Sequence, residues 1–137
     1  MKNQIINICT IILTLIFIST TNANSKYSQA FENEINKESN ISREPDWILA
    51  HMVQISIIDN FCAQANVLSR YNTDRSSYFM KQVVIRAIKN GVYNRDVVNR
   101  ADSLSEQFRS QFSYYEQKNW CLLIDGELSK LDHQTKY

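Results

Sequence analysis

The sequence predicts a small all-α domain, and three observations carry that reading. The chain of 137 residues holds two glycines and one proline, too few to supply the turns that an all-β domain needs roughly every 8–12 positions. Beyond Pro45, apolar residues recur at spacings of three and four, the period of an amphipathic helix. Two well-separated cysteines, Cys62 and Cys121, are placed to tie the first major helix to the last. The expected architecture is a single-domain helical bundle of about four helices with one disulfide.

The N-terminus reads as an export signal. Met1-Lys2-Asn3 is a short positive start, Ile5 to Ile18 is an apolar stretch, and Thr21 and Ala23 stand at the positions a signal peptidase reads. The apolar stretch is shorter than the roughly 20 residues that span a bilayer and is diluted by Asn7 and threonines. Cleavage after Ala23 is expected, which assigns residues 1–23 to the signal, 24–43 to a polar arm and 44–137 to the bundle. Within the arm, Tyr27, Phe31 and Ile35 fall four apart, as on one side of a short docking helix.

The first major helix starts at Pro45, where a missing N–H costs nothing, with Asp46 favoured by the positive end of the helix dipole. Its broad stripe includes Trp47, Ile48, Met52, Ile55, Ile58, Phe61 and Cys62, and the helix is expected to run on to residues 69–72. Thr73 or Asp74 then caps a second helix with Met80, Val84, Ala87 and Ile88 inward. Asn90-Gly91 stops it, because glycine takes the left-handed conformation that closes a helix end. Asn94 caps a third helix, whose inner stripe reads Val97, Ala101, Leu104, Phe108, Phe112 and Tyr115. The phase breaks beyond Glu116, so a fourth helix is expected from about Asn119 to Asp132, with Trp120, Cys121, Ile124, Leu128 and Leu131 inward. Gly126 within it costs about 1 kcal/mol against alanine, which close packing or a local break would explain.

Export sets the redox chemistry. Cys9 leaves with the signal, and the two remaining cysteines allow one pairing in a compartment that permits disulfides; the alternative is two buried thiols. A bridge closing a loop of roughly 60 residues stabilises by about 4 kcal/mol at the upper end. Lys2 leaves too, and the remaining acidic and basic side chains balance. A neutral surface gives no reason to expect nucleic acid or an anionic membrane as partner, since each calls for a basic surplus on one face.

No catalytic constellation is legible. His51 and His133 lack a histidine or acid four residues away that would make a metal pair on a helix face, and His51 reads as a polar, half-buried side chain. A bridged cysteine has no thiolate to offer. Asp125, Glu127 and Asp132 read as a solvated helix face. The sequence therefore points to a non-enzymatic protein without cofactor or metal, whose partner is another protein. The segment Arg70-Tyr71-Asn72-Thr73-Asp74-Arg75 reads as a charged link between helices, and Arg70, Tyr71, Asp74 and Arg75 are candidate contacts. Tyr114 and Tyr115, about 100° apart on a helix, cannot both point fully inward and are further candidate anchors.

Several short motifs carry a resemblance. Asp46-Trp47-Ile48-Leu49 precedes a helix bearing a cysteine; Gly91-Val92-Tyr93 is followed by Asp102-Ser103-Leu104; Cys121-Leu122-Leu123 leads to Glu127-Leu128 and Leu131. Over residues 46–131 the chain resembles the type VI secretion amidase immunity proteins, although Cys62 lies further beyond the Asp-Trp pair and the closing helix is shorter. The resemblance implies a periplasmic α-helical protein, often dimeric, that binds an incoming peptidoglycan amidase and blocks its active site. An accessory subunit of an envelope or secretion assembly, favoured by the polar arm, and a carrier of small apolar ligands are the other readings.

Overall fold

The computed structural model describes residues 26–41 and 44–134; the expected signal segment lies outside them. The described residues form five helices: α1 (Gln29–Ile41), α2 (Pro45–Ile57), α3 (Arg70–Lys89), α4 (Arg95–Arg109) and α5 (Tyr114–Asp132). The expected bundle and its disulfide are present, with five helices in place of about four. The additional one is the helix anticipated from Tyr27, Phe31 and Ile35. It docks on its own chain, with Phe31 and Ile35 fully buried.

Helix ends explain where the sequence-based boundaries shift. α2 widens into a π-helical turn, Ile58–Cys62, and stops well before residue 69. Asn66 adopts a left-handed φ of 51°, and the Asn66 N–H donates to Ala63 O while the Val67 N–H donates to Cys62 O. That double closure is the Schellman motif, and asparagine supports it because its short polar side chain tolerates the conformation. Gly91 closes α3 in the same way, with φ 71° and bonds from Gly91 to Ile88 O and from Val92 to Ala87 O.

Because α2 ends early, α3 begins early. Its cap is Ser69, which accepts from the Asn72 N–H, rather than the expected Thr73 or Asp74. Residues 70–75 are therefore the first turns of a helix and not a link. The α4 cap is Asn94, as expected. α5 also starts earlier than Asn119: Ser113 accepts from the Glu116 N–H and Glu116 reaches back to the Ser113 N–H. This capping box satisfies two otherwise orphaned donors and puts the break between α4 and α5 at residues 110–113.

The larger core collects Phe31, Ile35, Ile57, Ile58, Phe79, Val83, Cys62, Cys121 and Leu128 among α1, α2, α3 and α5. The Cys62–Cys121 bridge spans 5.8 Å between Cα atoms and joins the π-turn to α5 within that core. A smaller core, with Ile48, Met52, Ala87, Tyr93 and Ala101, seats α4 on α2 and α3. α4 is also tethered by Glu106, which accepts from Ser56 Oγ at 2.8 Å and Asn60 Nδ2 at 2.7 Å. α4 thus follows α2, whereas α5 packs on α1, α3 and the π-turn.

Candidate functional site

The two helices that share the 110–113 link separate along their lengths, and a groove opens between them. Its floor is one face of α2, with Asp46, Leu49, Ala50, Val53, Gln54 and Ile57. Phe108 and Phe112 form one wall and Glu116, Asn119, Trp120 and Leu123 the other, enclosing about 810 Å³. The link itself is held by Gln117, which donates from Nε2 to Phe112 O at 2.9 Å and accepts from Arg109 Nη1 at 3.3 Å.

The groove inverts an expectation. The periodicity places Leu104, Phe108, Phe112 and Tyr115 on an inner stripe, yet their exposures are 43%, 39%, 42% and 75%. Ala101 alone of the later stripe is buried. The periodicity of α4 is real, but α5 turns away to bury Cys121 and Leu128 in the other core, so none of the described residues covers the distal half of the stripe. Tyr114 and Tyr115 occupy the first turn of α5, between the groove residues Phe112 and Glu116. Tyr114 is 54% exposed and sets its ring edge-on to Phe61 at 5.3 Å. Leu122 is half exposed on the same helix.

The other candidate cluster moves the opposite way. Arg75 is 2% exposed; its guanidinium bonds to Asp125 at 2.6 Å and to Asp132 at 3.2 Å. Burial alone would lower its pKa, but the bonds from both carboxylates outweigh burial and raise it. The expected solvated face of α5 is corrected with it: Asp125 and Asp132 hold a buried arginine, and only Glu127 fits the description, paired with Lys130 in solvent. Tyr71 donates to Asp132 at 2.8 Å, a bond that raises the phenol's pKa, and lies between Lys26 and Arg75. Arg75 and Tyr71 therefore lock α3 to α5, while Arg70 and Asp74 remain exposed on the first turns of α3. The structure does not gather these four into one contact surface.

A smaller cleft of about 480 Å³ lies behind the groove, lined in part by Glu34, Glu38, His51 and Lys130, with Gln54 shared between the two. His51 stacks on Trp47 with ring centroids 3.9 Å apart and its Nδ1 lies 3.0 Å from Trp47 O. The carbonyl only accepts, so the ring N–H must donate from Nδ1. Burial lowers the pKa of this histidine despite that bond. Glu38 is shifted up, first by burial and then by Glu34. Among the described residues no three metal-ligating side chains converge, and no described helix is long and apolar enough to cross a membrane.

Sequence reasoning missed the groove because the one-sided apolar stripe of α4 reads as core, while α5 is apolar on two sides. The Ser113-x-x-Glu116 box was the available signal: placing the helix start there would have separated Phe112 from the stripe of α5. No protein-family model, curated protein or solved structure matches the chain.

Proposed function

We propose that this is an exported, non-catalytic binding protein whose α2–α4–α5 groove receives a protein partner. The observation that carries the reading is the exposed apolar lining itself. Contiguous apolar surface left open on a small domain marks an interaction site, and Phe108, Phe112 and Trp120 are of the types that anchor interfaces. The disulfide-tied core holds the groove walls in place before binding, so little ordering cost falls on association. The resemblance over residues 46–131 makes a periplasmic inhibitor of a cell-wall amidase the form of this reading to test first.

The test is complex formation with type VI amidases, followed by size exclusion and by loss of peptidoglycan cleavage. The double variant Phe108→Asp/Phe112→Asp, with its helical circular dichroism intact, is expected to lose both. A complex formed equally well by that variant would remove the groove from the reading. The accessory-subunit alternative loses its main support, since the apolar side of α1 is buried within the chain. The carrier alternative keeps a specific observation in its favour, the apolar volume of the groove, and expects extra mass from bound lipid in native mass spectrometry.

A further inference from the structure

The groove's few polar groups define what would fill it. Asp46 stands at the start of the α2 floor, and Glu116 stands beside the 110–113 link at the other end. The lining includes no lysine or arginine; Arg100 lines a smaller pocket alongside that shares Asp46 and Leu49, and neither acid belongs to an ion pair among the described residues. The capping box holds the Glu116 carboxyl below the usual range, so it stays charged in mild acid. The floor from Asp46 to Ile57 is about 17 Å long at a helical rise, the length of three helical turns.

We propose that the occupant is an amphipathic helix of a partner protein, with its apolar side on Leu49, Val53, Phe108 and Trp120 and cationic side chains directed at Asp46 and Glu116. This rests on the groove being a protein-binding site and adds the chemistry of what binds. Helices laid into apolar grooves anchor through residues at i, i+3 or i+4, and i+7, a span that three turns accommodate. Acids at both ends select for positive flanks and against negative ones. A fatty acid fits the apolar volume, but it brings a carboxylate to a groove with like charge at either end.

The experiment is titration calorimetry of the disulfide-bonded protein with three probes. They are a synthetic leucine–alanine helix of roughly 14 residues with lysines at both ends, the same helix with glutamates there, and palmitate. The lysine-flanked helix is expected to bind about tenfold tighter than the glutamate-flanked one at low salt, a gap that narrows as salt screens the rim. Asp46→Asn/Glu116→Gln should erase the preference; glutamine at position 116 keeps the capping box, so the groove stays formed. Equal affinities, no binding of either helix, or palmitate displacing the lysine-flanked helix would each overturn the proposal. If Phe108→Asp/Phe112→Asp abolishes partner binding while the charge preference is absent, only this inference falls. If the partner complex survives that variant, the groove reading falls with it.

Discussion

α5 faces two ways, and its two sides obey opposite rules. On one side it meets α3 through Asp125 and Asp132, which enclose the Arg75 guanidinium, and the disulfide lies one turn earlier at Cys121. On the other it contributes Trp120 and Leu123 to a groove that stays open. The Arg75 guanidinium is buried and Leu123 faces solvent, while Cys121 and Leu128 keep the same helix in the core. The carboxylates engage Nη1 and Nη2 of this buried guanidinium and leave Nε without a partner among the described residues; such a pair specifies geometry more than it adds net stability. Exposed aromatics are tolerated singly, but a contiguous set with a concave shape is a surface left for something else. Buried charge here marks how the bundle is fastened, and exposed apolar surface marks where it meets a partner.

Mutation of the fastened side should have the largest effect. Arg75→Ala removes the cation between two carboxylates that keep only Asn72 and Tyr71 as donors and is expected to cost about 3 kcal/mol in urea-induced unfolding. A loss under about 1 kcal/mol would mean that solvent already reaches this pair. Replacing both cysteines, Cys62→Ala/Cys121→Ala, removes a link across 59 residues of sequence separation and should cost about 2–4 kcal/mol. The same comparison can be made in the wild type by adding reductant.

Effects on the open side should be small or favourable. Gly126 is exposed within an unbroken α5, and an added Cβ meets nothing within 4 Å. Gly126→Ala should therefore stabilise by about 0.5–1 kcal/mol, read as a rise in the thermal midpoint. Neither explanation expected from sequence, close packing or a helix break, applies within this chain; a destabilised alanine variant would return attention to packing. Phe108→Ser and Phe112→Ser should each change stability by less than about 1 kcal/mol, since substitution of partly exposed residues seldom costs more. Losses of about 3 kcal/mol, the scale of a deleted core phenylalanine, would show that these rings are covered and would dissolve the contrast between the two sides of α5.

Much of the bundle was legible because its signals are local. Pro45, Asn94 and Gly91 each mark a helix end through constraints on their own backbone or caps, and they stand where expected. The paired cysteines needed only a compartment and a count. The shifted ends of α2 and α3 share one origin: Asn66 in a left-handed conformation closes α2 after Cys62 and moves the α3 cap to Ser69. Four residues of shift turned a presumed solvated link into a helix whose inward position is Arg75. The Ser113–Glu116 box had the same effect on α5 and was overlooked in favour of the apolar phase.

The sequence by itself determined the helical class, the single cysteine pairing and the amphipathic stripes, because periodicity, caps and composition act within a few residues of one another. Only the tertiary structure decided which stripes are covered. Whether Phe108 and Phe112 are core depends on where α5 lies, and α5 is fixed by Cys121, Asp125 and Asp132 reaching partners 50 to 59 residues away in the chain. Burial belongs to pairs of elements rather than to one helix, so an apolar face predicts that a partner surface is needed without saying whether the same chain provides it.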